Sequence, residues 1–242
     1  MGAQWKHAGR IENSSKRGAL ISKLVKEITV AAKSGDPNPD GNPRLRAAIE
    51  AAKKASVPRD NIERAIKKGA GLLDDQVQYE LITYEGFTPH KIPVVVECLT
   101  DNKNRTAADI RVLFRKGMLG SMGSVTWMFD RFGVVEATHT LDNGSIDLES
   151  VAIEAGAQNV EPLEAFEVAA GSIGGRFSCD PSDLDQVSKY LVGQGWSVTL
   201  SEMSYIAKNP LEISSDQKKE VTEFLNSIDD HDDVHRVYAA LK

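Results

Sequence analysis

In the first third of the chain, apolar residues recur every three or four positions, which is the spacing of an amphipathic helix. One such stripe defines a predicted first helix: Leu20, Ile21, Leu24, Val25, Ile28, Ala31 and Ala32. On the opposite side of this helix fall Lys23, Lys26 and Lys33, and Gly35 supplies a C-terminal stop. The pattern predicts a helix with a basic outer face.

A second helix is predicted after residues 36–41, a turn whose two X-Pro steps cannot continue a helix. Asn42 is placed to cap this helix, and Pro43 is placed at its first position. Its apolar stripe consists of Leu45, Ala48, Ile49 and Ala52.

A short third helix is predicted between residues 56–58, which end the second helix, and Gly69. Ile62 and Ile66 have the spacing to face inward. The three helices share an Ala-rich seam, which allows close packing. We therefore predict a small three-helix bundle with Lys and Arg on its solvent side.

Strand-like patterns begin after residues 70–78, where the helical spacing stops and a linker is predicted. The ranges 79–87 and 92–100 are rich in β-branched and aromatic residues. Residues 88–91, with the sequence Thr-Pro-His-Lys, lie between them. This order predicts a β-hairpin.

A helix is predicted to follow, with Thr106 and Asp109 spaced as a capping box. Its inward residues are predicted to be Ala107, Ile110, Leu113 and Phe114. A glycine-rich loop then leads to a predicted strand at residues 125–129. Since no Lys-Ser or Lys-Thr follows the glycines, the loop lacks the pattern of a nucleotide-binding P-loop.

From residue 131 onward, strands and helices alternate in the order of a ferredoxin-like split βαβ unit. The predicted elements are strand 134–137, helix 146–155, a hairpin of 160–169 with 176–179, helix 184–192 and strand 196–206. A last helix at 214–228 and a last strand at 234–238 would be left without partners. We expect them to return and complete the sheet of residues 79–130.

The predicted fold class is therefore α+β, with an N-terminal three-helix bundle followed by two α/β-sandwich domains, one of them ferredoxin-like. The predicted domains are a basic helical domain at 1–76, a discontinuous middle domain at 77–130 plus 208–242, and an inserted ferredoxin-like domain at 131–207.

Charge is divided unevenly along the chain. Residues 1–72 contain fifteen Lys and Arg against seven Asp and Glu, whereas residues 73–242 contain fourteen against twenty-eight. Such asymmetry is typical of a cationic module that meets a polyanion and is attached to an acidic body. Within this body, the acidic surface of residues 131–242 suits contact with protein partners or a spacing role and disfavours nucleic acid there.

The candidate nucleic-acid-binding residues are mainly the cations of this module, together with an aromatic residue near the N-terminus. A polar loop that leads into the fourth predicted helix adds two more, because a helix N-terminus presents free N–H groups to phosphate. The alternative that the Asn and Asp residues of this loop only satisfy the turn and cap the helix remains equally open. The full set is Trp5, Lys6, Arg10, Lys16, Arg17, Lys23, Lys26, Lys33, Arg44, Arg46, Lys53, Lys54, Arg59, Arg64, Lys67, Lys68, Asn104 and Arg105.

Several motifs occur in order along nearly the whole chain. They are Lys16-Arg17-Gly18, Ala31-Ala32-Lys33, NPRLRAAI at 42–49, VPRDNIERAI at 57–66, Tyr84-Glu85-Gly86, LTDNKNRT at 99–106, Gly123-Ser124-Val125 and MFDR at 128–131. Together they resemble the YebC family of probable transcriptional regulators, whose mitochondrial relatives are translational activators. The resemblance implies nucleic-acid binding and the insertion of the third domain into the second.

Catalytic, metal and cofactor motifs do not stand out. His231 and His235 lie four residues apart in an acidic run, but an acidic turn between a helix and a strand explains them better than a metal site does. No HExxH motif, nucleophile elbow or Cys-His pair of recognisable spacing is present. We expect no enzyme activity, no metal and no cofactor.

Membrane and disulfide classes are also disfavoured. No apolar run approaches the roughly 20 residues that span a bilayer, and the N-terminus lacks the apolar core of a secretory signal. Cys98 and Cys179 each lie in an apolar, strand-like run, which favours reduced core residues. We expect a cytoplasmic protein.

Two interpretations of the nucleic-acid partner remain open. The chain is either a regulator that binds duplex DNA or a translation factor that binds ribosomal or messenger RNA. Lys and Arg on helix faces neutralise the phosphates of either polymer, so charge alone does not decide between them.

Overall fold

The computed structural model describes residues 14–73, 79–141, 146–164 and 167–242, with the side chains of residues 14–17 excepted. The helices in these ranges are α1 (Ser14–Ser34), α2 (Pro43–Lys54), α3 (Arg59–Gly69), α4 (Lys103–Leu113), α5 (Leu148–Ala155), α6 (Leu184–Gly193) and α7 (Ser215–Asp229). The strands are β1 (Glu80–Phe87), β2 (Pro93–Thr100), β3 (Met118–Leu119), β4 (Phe129–Thr140), β5 (Asn159–Pro162), β6 (Ser172–Cys179), β7 (Ser197–Ala207) and β8 (Val234–Ala239). The predicted α+β fold, with a helical N-terminal region followed by sheet domains, is confirmed.

The chain divides into two compact units. The described residues of the first unit lie in 14–26, 79–130 and 205–242. Those of the second lie in 27–73, 131–141, 146–164 and 167–204. The boundary between the two units falls within α1, after Lys26.

The first unit contains a four-stranded sheet in the order β3-β1-β2-β8. β1 and β2 form the expected antiparallel hairpin, with Glu80 opposite Thr100 and Phe87 opposite Pro93. β8 pairs with β2 in antiparallel register and places Tyr238 opposite Val95. The last helix and strand of the chain therefore belong to the same sheet layer as residues 79–100.

Alternating residues of β2 serve two different cores. Val94 and Val96 pack with residues of α4 and α7, including Ile110 and Leu225. Val95 packs on the opposite face of the sheet with Tyr238 and neighbouring aromatic residues. Both faces of this sheet are therefore covered, which explains why all eight residues of β2 are buried.

The start of α4 differs from the predicted capping box. Asn102 is the N-cap, and its side chain accepts the Arg105 N–H at 3.1 Å. Thr106 is instead a fully buried residue inside the helix, with its hydroxyl 2.9 Å from a carboxylate oxygen of Asp233. The prediction at Thr106 was wrong because Asn102, four residues earlier, has the stronger preference for the cap position.

The strand predicted at 125–129 was also wrong over most of its length. Residues Thr126–Met128 form a short 3₁₀ turn, and β4 begins at Phe129. The backbone N–H groups of Val125 and Thr126 donate to the Glu85 carboxylate, each at 2.8 Å, rather than to a neighbouring strand. A buried carboxylate therefore replaces the strand pairing that the apolar pattern favoured.

The second unit contains the ferredoxin-like sheet, in the order β5-β6-β4-β7. β4 and β5 both run antiparallel to β6, with Phe177 of β6 opposite Val135 of β4 and Val160 of β5. One face of the sheet packs against α5 and α6 through a core that includes Val135, Phe177 and Leu191. The predicted ferredoxin-like arrangement is confirmed, although β5 ends at Pro162 rather than at residue 169.

The end of α1 packs with α2 and α3 in the same unit. Asn42 caps α2 by accepting the Leu45 N–H at 3.0 Å, and its Nδ2 donates to the Ala31 carbonyl at 2.9 Å. At the end of α3, a methyl group on Gly69 would collide with the Thr29 carbonyl. Close approach of small residues therefore holds these helices together, as the Ala-rich seam predicts.

Candidate nucleic-acid interface

The helices of the second unit expose most of their cations. α2 buries Leu45, Ala48, Ile49 and Ala52, and α3 buries Ile62 and Ala65. The other sides of α2 and α3, together with the end of α1, carry the positive charge. The exposed cations are Lys33, Lys53, Lys54, Arg59, Arg64 and Lys67, and Lys68 is half-buried.

Some cations of this region have carboxylate partners. Lys53 pairs with Glu50 and Arg59 with Glu63, each at 2.7 Å and with all four side chains largely exposed. The Arg44 guanidinium contacts the Glu27 carboxylate at 2.8 Å. The Arg46 guanidinium lies 3.6 Å from the Asp40 carboxylate. These pairs reduce the positive charge that the four cations present to a ligand.

Other cations have no carboxylate within 4.0 Å in the part of the chain that the structure describes. We call them the unpaired helical cations: Lys33, Lys54, Arg64, Lys67 and Lys68. Arg64, Lys67 and Lys68 have the i, i+3, i+4 spacing of neighbours on one helix side. Four of the five lie in the last turn of a helix or directly at its end, where the helix dipole also favours positive charge.

Lys23 and Lys26 differ from this set, although sequence analysis predicted an outward position for both. The Lys26 ammonium lies 2.7 Å from the Asp233 carboxylate, and the Lys23 ammonium lies 3.6 Å from that of Asp229. Their side chains are only 15% and 16% exposed. The predicted outward position of both lysines is therefore wrong, because an acidic turn far away in the sequence covers this side of α1.

Asp233 is the centre of a buried polar cluster in the first unit. Its carboxylate is 3% exposed and accepts hydrogen bonds from Lys26 at 2.7 Å and from Arg105 at 2.9 Å. Burial alone would raise the pKa of Asp233, but the hydrogen bonds from Lys26, Arg105 and Thr106 outweigh it and lower the pKa to about 2. The cluster joins α1, α4 and the turn before β8.

Arg105, for which sequence analysis predicted a phosphate contact, is therefore paired with Asp233 within the protein. It also lies 3.3 Å from the Asp101 carboxylate, and its side chain is 52% exposed. The neighbouring Asn104 is exposed. The two carboxylates offset the Arg105 charge, so this loop is less cationic than its sequence indicates.

The remaining candidates lie at the N-terminus. Lys16 and Arg17 belong to the first turn of α1. Trp5, Lys6 and Arg10 lie outside the described residues.

The histidine and cysteine residues considered for metal or thiol chemistry have contacts that a structural role explains. His231 lies with its Nε2 3.3 Å from the Asp109 carboxylate, and its Nδ1 accepts the Asp233 N–H at 3.1 Å. Within the described ranges, no group of three His, Cys, Asp or Glu side chains could hold a metal ion. Cys98 and Cys179 are buried, which raises the pKa of their thiols to about 12 and about 11.

Sequence reasoning missed two features of the first unit. The first is the Asp233 cluster, whose only signal was the acidic run before β8. The second is the loop anchored by Glu85, which exposes Trp127; its signal is the glycine-rich segment 117–123, which lacks acidic residues. Among the described helices, none has the length and apolar character required to cross a bilayer.

Comparison with known proteins gives matches over the whole described chain. The model of the TACO1/YebC protein N-terminal domain matches residues 3–72, and the model of the TACO1/YebC second and third domain matches residues 79–241. A probable transcriptional regulatory protein of Bdellovibrio bacteriovorus is 51% identical over 246 residues, covering 100% of each chain.

Two further relatives extend this similarity. A probable transcriptional regulatory protein of Pseudomonas syringae is 48% identical, covering 100% of this chain and 99% of its own. The crystal structure of a conserved hypothetical protein from Aquifex aeolicus is 38% identical, with a TM-score of 0.77, and covers 99% of this chain and 96% of its own. The similarity therefore extends from sequence to fold.

Proposed function

The chain belongs to the TACO1/YebC family, and from this membership we propose that it is a non-enzymatic transcriptional regulator that binds duplex DNA through its N-terminal helices. The names of its relatives support regulation. The proposal for DNA follows from those names together with the charge of the helices. A regulator of bacterial DNA works in the cytoplasm, where we propose that this chain acts.

The observation that carries the proposal is the set of unpaired helical cations. Exposed cations without carboxylate partners are free to neutralise phosphates, and the release of condensed counterions then favours binding. In contrast, Lys23 and Lys26 have partners in the protein. We therefore assign phosphate contact to α3 and to the ends of α1 and α2, and not to Lys23 and Lys26 in the middle of α1.

This mode of binding has limited sequence specificity. Contacts to phosphate position a protein on the duplex, whereas contacts to base edges specify the sequence. The ammonium groups of Lys67 and Lys68 and the guanidinium group of Arg64 are suited to phosphate contacts. An Arg can also form hydrogen bonds with the base edge of guanine. We expect binding to many duplexes with modest differences among them.

The experiment is a titration of the full chain with a fluorescent DNA duplex, a single-stranded RNA and an RNA hairpin, each at several salt concentrations. The duplex should bind, with log K falling by about 0.9 per phosphate contact for each unit of log salt. Binding to the RNAs without binding to the duplex would overturn the DNA assignment and favour the translation alternative. Strand cleavage in the presence of Mg²⁺ would overturn the non-enzymatic assignment.

A matched pair of variants locates the phosphate-binding residues. In the triple variant Arg64→Ala, Lys67→Ala, Lys68→Ala, the salt dependence should become shallower by about 0.9 for each phosphate that the protein no longer neutralises. The control removes three exposed lysines of the acidic body, Lys189→Ala, Lys208→Ala and Lys219→Ala, and should leave affinity unchanged. Equal reductions in affinity in the two variants would show that net charge, rather than the helical surface, determines binding.

A further inference from the structure

Residues 117–128 form the short edge strand β3 of the first unit's sheet and the loop that follows it. Leu119 packs against the core on the α4 and α7 side, whereas Val125 belongs to the core on the opposite face. The loop is closely fitted at its start, because a methyl group on Gly117 would collide with the Phe87 carbonyl. The chain therefore passes around the edge of the sheet within a few residues, so side chains before and after the crossing lie along the same edge.

The buried carboxylate of Glu85 anchors this loop through hydrogen bonds to its backbone. Its side chain is 4% exposed and accepts N–H groups from Gly123 at 2.7 Å and from Val125 and Thr126 at 2.8 Å. Burial acts to raise the Glu85 pKa, but these hydrogen bonds prevail and lower it, so the group is ionised at neutral pH. The loop is thus ordered before any partner arrives, which reduces the entropy lost on binding.

The anchored loop exposes large apolar side chains. Met118 is 59% exposed, Met122 is 91% exposed and Trp127 is 65% exposed. The Trp127 indole N–H donates to the Ser124 carbonyl at 3.1 Å, which orients the ring and satisfies its polar atom. What Trp127 presents to solvent is therefore mainly apolar ring surface.

The same segment is cationic. Residues 111–128 include Arg111, Arg115 and Lys116 and contain no Asp or Glu. All three cations are exposed, and none has a carboxylate partner in the described part of the chain. The rest of residues 73–242 has eleven Lys and Arg against twenty-eight Asp and Glu, so this segment differs in sign from the body that carries it.

We propose that Met118, Met122 and Trp127, with Arg111, Arg115 and Lys116, form a docking surface for an acidic segment of another protein. An apolar side chain of that segment packs on the Trp and Met side chains, and its carboxylates face the cations. Trp, Met and Arg are enriched at the centres of protein interfaces, and an exposed apolar group rimmed by charge is typical of such sites. This surface lies outside the proposed DNA contacts.

The chemistry favours protein over nucleic acid as the occupant. Gly123, Val125 and Thr126 direct their N–H groups to Glu85, so these donors are not available to phosphate. Two exposed thioethers add apolar area that a phosphate backbone does not use. The acidic surroundings would also repel a nucleic-acid strand that extends beyond this cationic segment, whereas a short acidic peptide can remain within it.

The test is selection of a displayed library of random short peptides on the immobilised full chain. The enriched peptides should be acidic and contain at least one large apolar residue. When synthesised, they should bind wild-type protein and lose about thirtyfold in affinity with Trp127→Ala, the loss typical of an interface hot spot. Met122→Ser, at a side chain that is 91% exposed, should weaken binding without affecting the fold.

Control variants distinguish binding at this surface from nonspecific binding of the peptides elsewhere on the protein. Ile153→Ala removes an apolar side chain that is 77% exposed on α5 and should leave peptide affinity unchanged. The double reversal Arg115→Glu, Lys116→Glu should abolish binding of the acidic peptides. No enrichment, enrichment of basic peptides, or affinity that is insensitive to Trp127→Ala would each overturn the proposal. Loss of single-stranded oligonucleotide binding, but not of peptide binding, in Trp127→Ala would assign the surface to nucleic acid instead.

Discussion

Two groups of cations in the N-terminal helices look alike in sequence and differ in the folded chain. Lys23 and Lys26 are mostly buried and bound to carboxylates of the C-terminal region, whereas Arg64 and Lys67 are exposed on α3. The first group stabilises the first unit, and the second is available to a ligand. The comparison shows that cations of the same helical pattern can be either paired within the protein or exposed to solvent, so positive charge in the sequence does not by itself identify a binding surface.

The largest effect should follow removal of the carboxylate that binds Lys26. Asp233→Ala leaves Lys26 and Arg105 without their shared partner, and we expect the free energy of unfolding to fall by about 3 kcal/mol. This is the lower end for a broken buried pair, because Arg105 is half-exposed. Urea denaturation measures the loss.

The control for this variant is Asp216→Ala, since the Asp216 side chain is 95% exposed and pairs only at the surface. It should change the unfolding free energy by less than about 0.5 kcal/mol. Similar small changes in both variants would contradict the structural role of the Asp233 cluster.

Gly69→Ala tests the packing that presents the other group of cations. The added methyl collides with the Thr29 carbonyl and the Ala32 side chain, and we expect a loss of about 2 to 3 kcal/mol in unfolding free energy. Gly18→Ala is the matched control, because nothing lies within 4 Å of a methyl group at that position. A Gly69→Ala variant as stable as Gly18→Ala would show that α1 and α3 do not pack this closely.

Low pH should reduce the stabilisation that Asp233 provides through its pairs with Lys26 and Arg105. The pKa of Asp233 is about 2 in the folded chain and about 4 when unfolded. Because folding lowers this pKa, the carboxylate's contribution is fully present above pH about 4 and is lost as the pH falls through about 2, amounting to about 3 kcal/mol. Urea titrations across this window should show the loss in wild-type protein and a flatter profile in Asp233→Asn; identical profiles would exclude Asp233 as the cause.

The smallest effect on stability should come from the cations assigned to DNA. Arg64→Ala, Lys67→Ala and Lys68→Ala together remove charge from one helix side, and we expect a change of only about 1 kcal/mol or less, mostly from weaker helix-dipole interactions. Thermal unfolding of the triple variant checks this. A much larger loss would mean that these side chains have structural partners and belong with Lys23 and Lys26.

The elements with strong local signals could be predicted from the sequence. Asn42 and Pro43 identified the start of α2, and the Thr-Pro-His-Lys turn identified the hairpin of β1 and β2. The alternation after residue 131 indicated the ferredoxin-like sheet. Each of these signals depends on residues that are close together along the chain.

What could not be predicted depends on partners that are distant in sequence. Lys26 and Asp233 are separated by 207 residues, and the helical pattern of α1 shows only that Lys26 is on the polar side. Glu85 and Val125 are separated by 40 residues, and nothing in the strand-like sequence at 125–129 shows that a carboxylate takes its N–H groups. The outward position of Arg59 and Arg64 in α3 was therefore predicted correctly, whereas that of Lys23 and Lys26 in the middle of α1 was not.

The most direct test compares the two groups of cations in one binding measurement. The affinity for a labelled DNA duplex is measured against salt for wild-type protein, for Lys23→Ala with Lys26→Ala, and for Arg64→Ala with Lys67→Ala and Lys68→Ala. We expect the α3 variant to lose affinity and to flatten the dependence of log K on log salt by about 0.9 per phosphate contact. The α1 variant should be less stable yet, under conditions where it remains folded, keep the wild-type salt dependence. A flattened dependence in the α1 variant with an unchanged one in the α3 variant would contradict the account.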